Sequence, residues 1–477
     1  MNKIITGIVG FLVLFGLYSC NGEDSFSTST NLQLQFSADS IRLDTLFSNV
    51  PSTAKSFWVY NYSSDGIKCS NVRLERGNQT GFRVNVDGIY LSGNVGYQTS
   101  DITIRKNDSI RVYVELTSPK NYQDKPSFLE DNLVFALENG KVQKVNLNAY
   151  SWDGIFLNNY HVKEDDTLSS SKPIIVYGGI VVDSAKTLTV LPGTTLYFHA
   201  NAGLDVHGRL ISAGTMEHPV TFRGDRLDNM FDYLPYDRVS GQWKGLHIYS
   251  SSYDNILSFT DLHSAFHGIV IDSADVQRKK LTINASTVHN CQGYDLLSKN
   301  ANISISNSVF SNSLKDCICL DGGDVTINGC TLAQFYPFDS QRGVALQFGS
   351  ENSALRFQCL NSLITGYGDD ELLFNPEKGN LPLEFAINHC LIRTPEDALK
   401  NDVRFSNNIF ENLKDTTIAG YKNFVLVDAN LLKYQFELKE HSLAIDAGDP
   451  QTSLPNDRFG RMRDNSPDIG AFEYINK

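Results

Sequence analysis

Three short segments in the middle of the chain repeat at a fixed step, and that step restricts the fold more than any other feature. LTINASTV begins at Leu281, ISISNSVF at Ile303 and VTINGCTL at Val325, 22 residues apart each time. Each alternates apolar and polar residues, turns at a small polar corner and ends in an apolar pair. Alternation with period two describes a strand with one buried face. One such strand per 22 residues, with no helical pattern between copies, describes a coil that stacks on its own copies. The expected fold is therefore all-β, built around a right-handed single-stranded parallel β-helix. Less regular copies stand at Ile256 (ILSFTDLH), Phe357 (FQCLNSLI), Phe385 (FAINHCLI) and Val403 (VRFSNNIF). Steps that stretch to 32 residues and shrink to 18 require insertions to leave the rod at its corners. Roughly a dozen coils at about 4.8 Å per strand give a rod about 50–60 Å long.

The corners carry their own pattern. Asn307, Asn361 and Asn407 occupy one corner in three coils, where Asn tolerates left-handed backbone and can stack its amide on the next coil. Ser286, Ser308, Cys330 and Cys390 share the neighbouring position, which reads as a small residue buried between coils. Beyond Cys20 the chain holds seven cysteines and no CxxC pair, so neither a disulfide framework nor a zinc site is favoured. Cys317 and Cys319, two apart, are expected on one strand face.

The flanks read differently. Lys3, an apolar run over 4–18 and the sequence Leu17-Tyr18-Ser19-Cys20 resemble a bacterial lipoprotein signal, which implies that 1–20 is a signal peptide and Cys20 the lipidated residue. Asn21-Gly22-Glu23-Asp24, opening a tether over 21–30, resembles the acidic export signal of surface lipoproteins in Bacteroidetes-type bacteria. The implied location is the outer membrane, attached through the lipid anchor and exposed at the cell surface. Over 31–152, alternating runs at 32–36, 57–60, 72–74, 82–86, 102–104, 110–116 and 142–147 are separated by turn signals such as Asp87-Gly88 and Glu138-Asn139-Gly140. They predict a β-sandwich. The phrases FWVYNYSSDGIKCSNVRL, GFRVNVDG and SIRVYVELTSP resemble an immunoglobulin-like domain of the ASH or MSP-like kind, for which a spacer role is the plainest.

The β-helix is expected over 153–440, and GQWKGLHIYS from Gly241 is similar to a phrase recurrent in bacterial β-helix proteins. From His441, HSLAIDAGDPQTSLPNDRFGRMRDNSPDIGAFEY resembles the closing motif of secreted β-helix proteins, so 441–477 is expected to cap the open end of the rod. Its Asp446, Asp449, Asp457, Asp468 and Glu473 match no known calcium-loop spacing.

Function is less legible. A formal charge of -13 argues against a nucleic-acid partner, which would need a basic surface. Many helices of the pectate-lyase-like family are polysaccharide lyases or glycosidases. A uronide lyase needs carboxylates to hold calcium and a basic side chain to take the proton, and a hydrolase needs carboxylates flanking a water. Gly368-Asp369-Asp370 is present, but Gly-His-Gly and Arg-x-Lys are not. Asp369 and Asp370 are thus weak catalytic candidates, and a polar corner is their plainer reading. Asp321 and Asp324, around Gly322-Gly323, read as a tight turn. His263, His267 and His289 come from neighbouring coils, yet such histidines are more often surface or ladder residues, and no metal is expected.

Aromatic insertions are more distinctive. NMFDYLPYDRVSGQW carries Phe231, Tyr233 and Tyr236 ahead of Trp243, and QFYPFDSQRG carries Phe335, Tyr336, Phe338 and Arg342. Rings flanked by Asp and Arg can stack on sugar faces and fix hydroxyls; the alternative is a satellite core packed back on the rod. Nearly the whole chain resembles Bacteroidetes surface lipoproteins that join a sandwich to a β-helix. The reading is a non-enzymatic binding or scaffold protein with a polysaccharide ligand. A lyase or hydrolase acting on uronic-acid-containing glycans is the rival, and a purely structural envelope protein a third. The binding reading needs no cofactor; the lyase reading would bring calcium. Any function should sit on the insertions.

Overall fold

Period-two alternation in the repeats becomes parallel strands in register. Leu281, Ile303 and Val325 are lateral partners, as are Thr287, Val309 and Thr331. The computed structural model describes residues 25–374, 381–414 and 420–475; Cys20 and the export signal lie outside them. The chain divides into two units, Met1–Asp153 and Gly154–Lys477.

In the second unit the pairing extends to a 26-stranded sheet running from Ile155–Val162 to Ile409–Phe410. Each coil gives one strand to each of three faces. One coil, for example, contributes Ile269–Ile271 to the first face, Lys279–Asn284 to the second and Thr287–His289 to the third. Inward residues such as Ile269, Leu281, Ile283 and Val288 join a single core along the rod. This is a parallel β-helix. The last repeat shortens to Phe405–Ser406 and Ile409–Phe410, which leaves Val403 exposed.

The corner pattern has a physical basis. Asn307, Asn361 and Asn407 all have positive φ, near 50°, as the turn requires. Their amides do not simply stack on one another. Asn361 Nδ2 donates to Asn328 Oδ1 at 3.2 Å, and Asn407 Nδ2 to Asn388 Oδ1 at 3.4 Å. The small residue that follows each corner is buried and accepts from the preceding coil. Ser286 N donates to Ser308 Oγ at 3.1 Å, Cys330 N to Ser362 Oγ at 3.1 Å and Ser362 N to Cys390 Sγ at 3.4 Å. Thiols stand in for hydroxyls because both fill the same small space and accept the same N–H. Cys317 and Cys319 do not share a face: Cys317 is buried in the core, while Cys319 is half-exposed beside Gln347.

The third face is apolar on its outside too. Val309, Ala333, Leu363 and Leu391 point away from the core and are covered by Phe424, Phe436, Ile469 and Phe472 from the last part of the chain. Where an end cap was expected, the closing segment runs along this flank. Gly470 N donates to Asn361 O at 2.8 Å, Asn328 Nδ2 to Thr452 O at 2.8 Å and Asn307 Nδ2 to Asn456 O at 2.9 Å. The segment's carboxylates fix its own turns: Asp457 pairs with Arg461, Glu473 with Arg463, and Asp468 accepts from the backbone of Asp446 and Tyr474.

In the first unit a five-stranded and a six-stranded sheet share one core, with Phe57, Val84 and Val112 from one and Val72, Leu133 and Leu147 from the other. This is an immunoglobulin-like β-sandwich. Two of its strands, Ser40–Phe47 and Ser127–Leu137, were not anticipated. The second carries Glu130-Asp131-Asn132 in mid-strand, which breaks the alternation. Asp131 is nevertheless buried, because Thr80 Oγ1 and Arg76 N each donate to it at 3.0 Å. Among the described residues, no helix is long and apolar enough to cross a membrane.

Candidate functional site

Outward positions on the third face turn polar toward the start of the rod. Asp261 and His263 stand two apart on the strand Thr260–His263, with Leu262 between them directed into the core, so both point outward. Lateral register then sets His289 beside His263 on the next coil. Trp243 anchors this strand from within. Its ring stacks on Phe198 at 4.3 Å, and its Nε1 donates to His263 O at 2.8 Å.

These groups form one ionic network. His263 Nδ1 meets Asp261 Oδ1 at 2.6 Å, and its Nε2 meets Asp237 Oδ1 at 2.9 Å. His289 Nε2 reaches the same Asp261 oxygen at 3.3 Å, and Arg223 Nη1 holds Asp237 at 2.7 Å. Burial works against a charge on His263, but the carboxylates of Asp261 and Asp237 outweigh it and raise the imidazolium to about 9. Burial also opposes charge on Asp237; His263, Arg223 and His289 overcome it and bring that carboxyl down to about 2. Desolvation opposes charge on Asp261 as well, but His263 and His289 hold its carboxyl well below the usual carboxylate range. Arg458, bonded to Thr287 Oγ1, adds a half-buried guanidinium near Asp261.

Two excursions from the rod wall this network in. One is the insertion that supplies Asp237 and Arg238; the other is the hairpin Phe424–Asp428 and Lys433–Leu438. Arg238 Nη1 ties them together by donating to Leu431 O at 2.8 Å. Between them and the third face lies a cavity of about 450 Å³, lined by Asp261, His289, Asn312, Lys433, Tyr434 and Phe436 among others. Aromatic side chains and polar groups of both charge signs thus line one concave space.

The sequence candidates are dispersed. Phe231 and Tyr233 are 55% and 57% exposed, with near-parallel rings 5.8 Å apart, and form the one open aromatic pair of that insertion. Tyr236 lies under the Arg226 guanidinium at 3.8 Å. Trp243, Phe335 and Tyr336 are buried and offer no face to a ligand. Phe335 packs against Phe424 and Phe436, so the satellite-core alternative describes it. Arg342 covers the ring of Tyr367 at 5.0 Å.

Asp369 and Asp370 line no part of the cavity. Asp369 pairs with Arg393 at 3.1 Å, and Asp370 accepts from Thr394 Oγ1 at 2.7 Å, so both fix the corner. Beside them Glu371 is buried, which pushes its carboxyl up to about 7 against the N–H groups of Gly368 and Ala345 that favour its charge. His267 does not join the other two histidines; it stacks on Tyr294. Asp237, Asp261, Lys433 and Tyr434 were not singled out from the sequence. The one available signal was Asp-x-His in ILSFTDLH, one coil before His289.

No family model matches the chain, and no curated protein matches it. Among solved structures the chain is similar to pectate lyase Pel9A, at 12% identity over 68% of this chain and 88% of that one, with a TM-score of 0.32. The chain is also similar to the ASH / PapD-like domain 7 of human CEP192, at 9% identity over 29% of this chain and 96% of that domain, with a TM-score of 0.18. A family 123 glycoside hydrolase from Clostridium perfringens aligns at 9% identity over 28% of this chain, with a TM-score of 0.18, and the chain spans 30% of that enzyme's length. The activities in these names belong to those proteins.

Proposed function

We propose that this chain is a polysaccharide-binding protein of the cell surface, tethered to the outer membrane through Cys20, and that the cavity on the third face of the rod seats the saccharide. The observation that carries this reading is the cavity itself. Its volume of about 450 Å³ suits a short saccharide, and Tyr434 and Phe436 line it beside Asp261, Lys433 and Asn312. The network behind it fixes Asp261, and Phe335 N holds Asn312 by donating to its Oδ1 at 3.2 Å, before a ligand arrives, which lowers the ordering cost of binding. The exposed pair Phe231 and Tyr233 stands on the same insertion as Asp237 and offers a further stacking surface.

Affinity electrophoresis and glycan arrays across host and plant polysaccharides test the reading. Binding should fall at least ten-fold in Tyr434→Ala. Uniform failure to bind, or binding untouched by that change, rejects it. The rival enzymatic reading draws on the carboxylates of Asp237 and Asp261 on either side of His263. Uronide polymers incubated with calcium and analysed by product chromatography separate the two: released oligosaccharides would show turnover, and intact polymer with retained affinity would show binding alone.

A further inference from the structure

We infer that Asp261, His263 and His289 form a binding site for a divalent first-row transition metal, with zinc the natural occupant, open to the cavity at its remaining position. The inference stands apart from the glycan reading, since it concerns the ion alone. Three features support it.

The first is convergence. One oxygen or nitrogen from each of the three side chains lies within 4.8 Å of the others. Tetrahedral zinc with ligands at about 2.0–2.2 Å separates neighbouring donors by roughly 3.3 Å. Asp261 Oδ1 and His289 Nε2 already stand at 3.3 Å. His263 Nδ1 and Asp261 Oδ1 are at 2.6 Å and need to part by less than 1 Å once the ion replaces the proton between them. Loading is an exchange: the Nδ1–H bond breaks, the Nδ1–metal bond forms, and the proton leaves to solvent.

The second is the support around His263. A metal-bound imidazole generally gives its other N–H to a carboxylate, which sets tautomer and ring plane. Here Nε2 of His263 meets Asp237 at 2.9 Å, and Arg223 holds Asp237 from behind at 2.7 Å. Trp243 fixes the backbone of the same residue through its bond to His263 O. The third is ligand type. Two imidazole nitrogens and one carboxylate suit zinc and its neighbours, whereas calcium and magnesium demand oxygen. Arg458 beside Asp261 leaves the loaded site cationic, so the open position favours an anionic or strongly polarised oxygen ligand.

The test uses untagged full-length protein stripped with chelator. Titration with cobalt(II) should give one equivalent with visible absorption, and dialysis against zinc followed by elemental analysis should give one ion per chain. His289→Ala and Asp261→Asn should each weaken affinity more than ten-fold, with metal-free melting curves confirming that the variants are folded. Asp237→Asn should weaken it by about 10- to 100-fold, as loss of a supporting carboxylate does. His441→Ala, exposed and outside the cluster, should bind like the parent. No stoichiometric uptake by the parent protein, or unchanged affinity in His289→Ala, overturns the assignment.

Discussion

Asp295 sits buried inside the rod, its carboxylate beside the weak thiol donors of Cys291 and Cys317. Burial raises its pKa well above the ordinary value, so the folded chain holds it neutral, whereas the unfolded chain ionises it near 3.9. Between those limits the native state binds one proton more than the unfolded state, and stability falls as pH rises. The loss does not depend on the folded pKa so long as that stays above the working pH. It grows by at most about 1.4 kcal/mol per pH unit and levels off once the pH passes the folded pKa.

Asp295→Asn removes the titration while nearly preserving shape. An amide in the same place has its own unmet hydrogen bonds, which shift the whole stability curve by about 1–3 kcal/mol without changing its slope. The slope is therefore the quantity to read. Urea unfolding of both proteins at pH 4, 5, 6 and 7, followed by circular dichroism, should show the parent losing stability relative to the variant as pH rises above about 4, by up to about 1.4 kcal/mol per pH unit. Every other titrating group cancels in that difference. Parallel curves would refute the reasoning, because they would mean that Asp295 is ionised in the folded chain or reached by solvent.

Other consequences are simpler to test. Trp243→Ala should cost about 3–5 kcal/mol in urea unfolding, since it removes a buried ring from the core and frees the backbone of His263. Glu371→Gln should flatten the pH dependence of stability between about 4.5 and 7, where the unfolded chain ionises a carboxyl that the folded chain, with its pKa raised to about 7, keeps protonated, so that the parent loses stability as pH rises; an unchanged profile would place Glu371 in contact with solvent. Phe436→Ala should loosen the cover over Val309, Leu363 and Leu391, seen as faster proteolysis within 420–475 and increased dye binding while the rod's strand signal persists. Cys20→Ser should release the protein from membrane fractions and abolish labelling by radioactive palmitate if Cys20 is the anchor.

The rod was legible because its information is local and repeated. Alternation over a few residues sets which side chains face in, and an unvarying step sets lateral partners, so Leu281, Ile303 and Val325 could be paired from the sequence alone. The sandwich strands Ser40–Phe47 and Ser127–Leu137 were missed for the converse reason. Asp131 interrupts the second with a charge whose partners, Thr80 and Arg76, lie some fifty residues away, and no local pattern announces them. Likewise Trp243, Phe335 and Tyr336 look like ligand aromatics in a list of residues; only the fold shows that other rings already cover them.

The apolar pair that closes several of the repeats holds the most instructive lapse. Two consecutive residues of a strand face opposite sides, so the pairs Val309-Phe310, Leu363-Ile364 and Leu391-Ile392 cannot both enter the core. One member of each must face outward, and a column of such residues is an apolar strip that something else has to cover. The sequence thus required a lid on the third face, and the segment after residue 420 is that lid. The cavity follows from where the strip ends. Toward the start of the rod the outward position passes from Val309 through Thr287 to Asp261, and in the next column from Ala333 through Ser311 and His289 to His263. The hairpin that packs tightly on the apolar stretch has no apolar floor beyond it, and the gap between its Lys433 and Tyr434 and the His263–Asp261 network is the cavity. The change from apolar to ionisable residues along one sheet face is therefore the feature that converts a structural lid into one wall of a cavity.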